Sequence, residues 1–395
     1  MNRARLWTKE FVISTVINFL VALNFFLFMI MISEFAMTKF DASTSRAGVV
    51  ASIFVIGSLT ARVLVGKWMM KYGYKRMLCI GVVAGLVMTL AYWLVNSIVL
   101  LICIRYIHGI AFGISTTATA TIVSDIIPKE RRGEGIGYYS LSQIVATAIG
   151  PLIGIYFSRQ GSYSMIFIAC TLASLVSCMM LPLFSFENKV FDDIQLGQMK
   201  GFKISNFIEP KAAKIAIVAL FVFLCYASVI SFLTVYSKEI NLTKAASFFF
   251  LVYAVVVFVS RPIVGRVFDF KGENVIMYPA IIIYGIGMLL FSNSYHGFVL
   301  LLSAILIGLG VGAIGASTQT IAVKVTPIER LGLANSTYYV FTDIGVGIGP
   351  MVAGILIPYI GYRGVYTVFA IVIFLCFGLY YFLHGKNFKQ LETER

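Results

Sequence analysis

Two halves of this sequence carry the same residues 199 positions apart, and the register holds without a gap. Arg62 is matched by Arg261, Gly66 and Gly73 by Gly265 and Gly272, and Gly109 and Gly113 by Gly308 and Gly312. Pro128, Glu130, Arg131 and Gly133 return as Pro327, Glu329, Arg330 and Gly332. Tyr139 returns as Tyr338, and Gly150-Pro151 as Gly349-Pro350. A repeat this long in an apolar chain points to two homologous membrane bundles about a pseudo-twofold axis, the arrangement typical of secondary transporters. Departures from the repeat then become informative, because function needs asymmetry and a scaffold does not.

Of the 395 residues, 59% are hydrophobic and only 12% charged. A soluble domain carries about 25% charged residues, so the chain is an integral membrane protein. One crossing takes about 20 apolar residues, which leaves room for about twelve helices. The expected spans are 10–33, 46–68, 77–95, 98–123, 135–157 and 163–184, then 213–236, 245–265, 275–293, 298–323, 334–357 and 363–384. The fold class is therefore all-α integral membrane, with twelve transmembrane helices in two pseudo-symmetric six-helix bundles. The expected domains are residues 1–184, a cytoplasmic linker at 185–212, and residues 213–395. Continuous apolar runs without alternation argue against a β-barrel.

The net charge of +14 does not call for nucleic acid, because basic residues collect in the cytoplasmic loops of membrane proteins. Most Lys and Arg fall in the N-tail, the even-to-odd loops and the C-tail, so both termini are expected to be cytoplasmic in a multi-pass protein of a bacterial inner (plasma) membrane. The first apolar run is too long for a signal peptide and lacks a small-x-small cleavage site. The six cysteines, all in apolar runs, form no CxxC pair, so neither a disulfide framework nor a metal site is indicated. Gly310-Leu-Gly312-Ala-Ile-Gly315 matches a dinucleotide fingerprint, but it lies inside an apolar helix with no preceding strand. No Walker motif or catalytic constellation is present. The expectation is a protein that is not an enzyme, holds no cofactor, and works as a monomer on a small-molecule substrate and protons in the lipid bilayer.

Gly66-Lys-Trp-Met-Met70-Lys-Tyr-Gly73-Tyr-Lys75-Arg76 joins the second and third spans, and Gly265-Arg-Val-Phe-Asp269-Phe-Lys-Gly272 joins the eighth and ninth. Together with the two Pro-x-Glu-Arg-x-Gly loops (Pro128 and Pro327) and the Gly-Pro pairs Gly150-Pro151 and Gly349-Pro350, they resemble the signature motifs of the major facilitator superfamily. Arg105-Tyr-Ile-His108-Gly109 resembles the arginine motif of its proton-coupled members. Ala146-Thr-Ala-Ile-Gly150-Pro151-Leu-Ile-Gly154 is similar to the antiporter motif of its drug:proton branch, with Ala146 and Ile155 replacing two glycines. The resemblance covers essentially the whole chain and implies gating roles for Gly66, Gly73, Arg131, Gly150, Pro151, Gly265, Asp269, Gly272, Arg330, Gly349 and Pro350. The family acid that helps to lock the cytoplasmic gate is kept as Asp269 but is Met70 in the first half. A carboxylate near a helix N-terminus is worth roughly 0.3–1 kcal/mol, so either one lock is weaker here, or Met70 packs and Lys71 compensates.

Ionisable groups within lipid are costly and usually functional. Arg105 lies ~11 Å below the outer surface, and Asp343 lies ~14 Å above the inner one, at 1.5 Å per residue. Both break the repeat, since Ala304 stands opposite Arg105 and Ile144 opposite Asp343. Asp343 is a candidate for proton coupling or for recognition of substrate charge, with a structural ion pair as the alternative. Arg105 is its coupling partner or an anchor. Glu34 is a proton entry site or a solvated rim carboxylate, and His108 is a proton shuttle or a neutral hydrogen-bonding residue. From the helices that border the family's central cavity, the substrate-binding candidates are Asn24, Tyr139, Gln143, Tyr226, Gln319, Tyr338, Tyr339 and Thr342, with Asn18 nearby. Aromatic residues mixed with a few polar groups suit an amphipathic organic ligand. The expected role is proton-coupled efflux (antiport) of a small amphipathic drug or metabolite by alternating access. Coupled nutrient uptake is the alternative, and a non-transporting membrane enzyme or sensor a remote one.

Overall fold

The computed structural model describes residues 5–159, 163–186 and 203–387, so most of the expected linker lies outside the described residues. The first six helices are α1 (Lys9–Phe40), α2 (Thr44–Tyr72), α3 (Tyr74–Ala91), α4 (Ile98–Ile126), α5 (Arg132–Arg159) and α6 (Tyr163–Met180). There follow α7 (Pro210–Glu239), α8 (Thr243–Lys271), α9 (Glu273–Ser292) and α10 (Gly297–Lys324). The run Leu331–Leu383 is broken at Gly361, where φ is 67° and ψ 171°. Its arms, residues 331–360 and 362–383, are α11 and α12. Ten runs among the described residues are long and apolar enough to cross a membrane, and one of them, Ile328–Leu383, covers both α11 and α12.

Helix ends reach further than hydropathy alone indicates. α1 continues to Phe40, beyond Glu34, and stops where Asp41 turns left-handed at φ 48°. Polar residues outside the hydrocarbon prolong a helix without adding to its apolar run, so composition locates a crossing better than it locates a terminus.

The chain divides into two compact units. Unit 1 comprises Met1–Pro128, Tyr139–Glu209 and Pro327–Thr337, and unit 2 comprises Lys129–Tyr138, Pro210–Thr326 and Tyr338–Arg395. In unit 1, α4 packs against α1, α2 and α3. Gly109 and Gly113 of α4 face the backbone carbonyls of Phe54 and Ser58 on α2, where any Cβ would collide. In unit 2, α10 packs in the same way against α7, α8 and α9. There Gly345 and Gly349 bring α11 onto the carbonyls of Leu220 and Leu224 in α7. Small residues four apart allow such approach where lipid supplies no hydrophobic drive between helices. Large apolar side chains such as Val99, Phe298 and Leu375 are left on the outside of their own units, as a lipid-facing surface requires.

Gly73 and Gly272 end α2 and α8 with φ 87° and 84° and ψ 155° and 166°. This region is essentially open to glycine alone, which accounts for their return at the repeat distance. Replacing Gly272 by Ala is expected to cost about 1–3 kcal/mol and to lower the unfolding midpoint in detergent. Gly85→Ala, where a new Cβ meets nothing within 4 Å, is expected to leave that midpoint unchanged or raised. Equal midpoints for the two variants would contradict the backbone argument.

Candidate functional site

Arg105 of α4 is fully buried in unit 1. Its Nε donates to the carbonyl of Val50 at 3.3 Å, and its guanidinium carbon stands 4.5 Å from the ring centre of Phe54. Nη1 and Nη2 have no hydrogen-bond acceptor among the described residues. One turn on, His108 lies in an aromatic box, edge-on to Phe28, Phe54 and Tyr92, with the Tyr92 hydroxyl 3.3 Å from Nδ1. A cavity of about 20 Å³ opens beside His108, Asn24, Ser115 and Ser174. That is room for about one water. Asn24 is committed inside this unit, because its amide nitrogen donates to Ser174, the Cys170 carbonyl and Thr89 at 2.7, 3.1 and 3.3 Å. Asn18 donates to Ser142 at 2.7 Å, and Tyr139 shares a 2.8 Å hydrogen bond with Thr119. Gln143 is half-buried in α5, and Glu34 is exposed on α1.

Unit 2 gathers most of the remaining candidates. Tyr226 of α7 stacks on Tyr253 of α8, with ring centres 5.2 Å apart. Gln319 of α10 donates to the Tyr339 hydroxyl at 3.3 Å, and the Tyr338 hydroxyl donates to the Gly315 carbonyl at 2.8 Å. Thr342 donates to the Tyr339 carbonyl at 3.0 Å. Asp343 follows on α11, one turn beyond Tyr339, and is half-buried. Arg261 of α8 also reaches this unit's α10, since its Nη2 would lie 3.6 Å from a Cβ placed at Gly315. Arg261 is repeated as Arg62, but its neighbours Tyr226, Tyr253 and Tyr339 are not repeated.

Arg131, Gly265 and Asp269 gather in unit 2 and Gly66 lies by the start of α11 in unit 1, whereas Gly150 and Gly349 pack elsewhere, on Phe26 and Leu224. In unit 2, both carboxylate oxygens of Asp269 accept backbone N–H groups at the start of α5, from Gly133 at 2.7 Å and Glu134 at 2.8 Å. The Glu134 carboxylate in turn accepts from Arg131 at 2.8 Å and from Arg266 at 2.9 Å. Close approach makes this geometry reachable, because a Cβ at Gly265 would lie 2.5 Å from the Gly133 carbonyl. Burial pushes the Glu134 carboxyl up, but hydrogen bonds and charge from Arg266 and Arg131 outweigh it and hold the group below the ordinary carboxylate range.

In unit 1 the repeated positions are apolar. Met70 stands for Asp269 and Leu333 for Glu134, and both belong to one buried core cluster with Val65 and Met69. Gly66 lies against Leu333 and Ser336, and the Ser336 hydroxyl donates to the Arg62 carbonyl. Arg330 bonds the carboxylate of Glu209 and the carbonyl of Ser205, the latter at 2.6 Å. The exchange of Glu134 for Leu333 is visible in the 199-residue register but not in the shared motif residues. Gly150 packs on Phe26 of α1, and Pro350 is half-buried in α11. Pro151 lies in α5, with its side chain outside the described residues.

The family model described as Major Facilitator Superfamily matches residues 15–302 and 272–394. An uncharacterized MFS-type transporter of Methanocaldococcus jannaschii is 26% identical over 345 residues, which cover 84% of this chain and 88% of the relative. The multidrug resistance protein MdtG of Citrobacter koseri is 24% identical over 379 residues, 93% of each chain. Among solved structures, the transporter FucP in its outward conformation superposes with a TM-score of 0.78 at 16% identity, covering 96% of this chain and 99% of its own. The human organic anion transporter MFSD10 superposes with a TM-score of 0.77 at 14% identity, covering 94% and 98%.

Because Glu134 is held below the ordinary carboxylate range, its network stabilises the fold above that range and loses its contribution as the pH falls through it. The unfolding midpoint in detergent is expected to fall on acidification more steeply for the native protein than for Glu134→Gln. Parallel curves would remove Glu134 from the acid response. Asp269→Ala leaves two backbone donors without their acceptor and is expected to cost about 1–3 kcal/mol, measured as a lowered unfolding midpoint at neutral pH.

Proposed function

The chain belongs to the Major Facilitator Superfamily, and we propose that it exports a small amphipathic drug or metabolite by alternating access in exchange for protons. One observation carries this reading: the repeat breaks at Asp343 and Arg105, two ionisable residues well inside apolar helices, opposite Ile144 and Ala304. A scaffold gains nothing from such charges, whereas a coupled exchanger needs one group that binds a proton at one stage and releases it at another. The multidrug resistance name of several curated relatives supports efflux as the direction.

In the proposed cycle Asp343 is the proton-binding group. Arg105, Glu34 and His108 serve proton movement, and the tyrosines around Asp343 hold the substrate. Proton and substrate stabilise opposite states, and each shifts the equilibrium only by its differential affinity for them. The start of α5 leaves Asp269 and returns to it once per turnover, so the hydrogen bonds at that carboxylate set part of the barrier. The protein acts as a monomer in a bacterial inner membrane with both termini cytoplasmic.

The test is energised accumulation in an efflux-deficient bacterium, using cationic dyes, neutral drugs and metal chelators, with and without a protonophore. Expression is expected to lower accumulation of at least one compound several-fold, and the protonophore to abolish the effect. Asp343→Asn at equal membrane abundance is expected to lose it as well. Raised accumulation would reverse the direction to uptake, and unchanged proton-driven efflux by Asp343→Asn would sink the assignment of the coupling group.

A further inference from the structure

Both bases of the polar group around Glu134 have equivalents in the repeat, and neither acid does. Arg131 and Arg266 correspond to Arg330 and Lys67, whereas Asp269 and Glu134 correspond to Met70 and Leu333. A cation left without its acid at the edge of a buried core needs another oxygen or an aromatic face. Here both bases turn to one short stretch, residues 205–209, which ends the linker before α7. Arg330 bonds the Glu209 carboxylate and the Ser205 carbonyl. The Lys67 ammonium stands 5.0 Å from the ring centre of Phe207. The backbone N–H of Glu209 also donates to the Thr337 hydroxyl of α11 at 2.8 Å.

The parallel with the other half is close. There Arg131, three residues before Glu134, fixes the carboxylate that Arg266 of α8 meets. Here Arg330 fixes the linker end, and the linker end presents the ring that Lys67 of α2 meets. The repeat equivalent of Glu209 is Glu10, in the first turn of α1, and Arg131 takes Glu134 in its place. The Glu209 side chain is 5% exposed in its pair with Arg330, so the charge-assisted bond is sheltered from water and directional. Leu333 and Ser336, also at the start of α11, lie against Gly66, one residue before Lys67. The linker end and the start of α11 therefore form one surface against the end of α2.

We propose that residues 205–209 are a clasp that takes the place of the missing acids: Arg330 fixes the linker end through Glu209 and Ser205, and Phe207 then receives the Lys67 ammonium. The inference rests on the transport reading, in which the start of α11 parts from the end of α2 and returns once per turnover. Glu209 is a positioning residue that acts through Arg330. Phe207 and Lys67 are the contact that opens.

The experiment uses the full-length protein in lipid nanodiscs and follows amide hydrogen exchange by mass spectrometry. Glu209→Gln and Phe207→Leu are each expected to speed exchange about tenfold in the first turns of α11 and the last turn of α2, and to leave the start of α5 unchanged. Leu333→Glu gives Arg330 the acid that Arg131 has in Glu134, and is expected to restore slow exchange to Glu209→Gln. A second arm separates a contact that opens from one that is only structural. Lys67→Cys and Phe207→Cys are combined and joined by a short, reducible bis-thiosulfonate reagent, with each single variant treated alike to control for the native cysteines. The link is expected to lower export of any compound that the protein exports in the accumulation assay at least about tenfold, and reduction to restore it. Native exchange rates in both Glu209→Gln and Phe207→Leu, or undiminished export with the link closed, overturn the clasp. A protein that shows the expected exchange pattern and moves no compound in energised cells supports the clasp as a contact and removes the transport reading beneath it.

Discussion

A guanidinium placed among apolar helices has to be met by oxygen, by an aromatic face or by an opposite charge, because the hydrocarbon around it supplies none of these. Two arginines meet that requirement in two ways. Arg62 takes the hydroxyl of Thr116. Arg105 takes a backbone carbonyl and the face of Phe54. Glycines complete the arrangement by letting α4 reach α2 in one unit and α11 reach α7 in the other.

The same division runs through the contacts at the starts of α5 and α11. Asp269, Glu134, Arg131 and Arg266 form a connected polar group, while Met70 and Leu333 at the repeated positions are core. A charge-assisted network is directional, and it is lost when one partner is protonated or displaced. Apolar contact is non-directional and tolerates sliding. In the proposed cycle one half therefore carries a switchable latch, and the other carries packing that Arg330 and Glu209 supplement. At the position of Met70 the acid is missing together with the glutamate that accompanies it in the other half, and both places are filled by hydrocarbon.

Much of this was legible in the sequence. The repeat distance placed Gly73 and Gly272 as equivalents, and their positive φ values explain why both are glycine. Hydropathy located the crossings, but not the ends of α1, whose last turns are polar or amphipathic. The candidate cluster of Tyr226, Gln319, Tyr338, Tyr339 and Thr342 does gather within one unit. Arg261 is repeated as Arg62, and only its changed neighbours distinguish it. Asn24 and Tyr139 face partners that no spacing rule foretells, since a helix period gives the face of a residue and not the identity of what lies opposite.

The central claim is that substrate and protons move in opposite directions through this chain. The most direct measurement follows luminal pH with a trapped dye in proteoliposomes that start without a pH gradient, after a compound that the protein exports from energised cells, and that does not itself carry protons through lipid, is added outside. Exchange predicts that the lumen becomes alkaline as substrate enters and protons leave, and that protein-free vesicles do not respond in this way. A lumen that turns acid with substrate entry would establish cotransport and contradict the account, as would substrate entry with no proton movement at all.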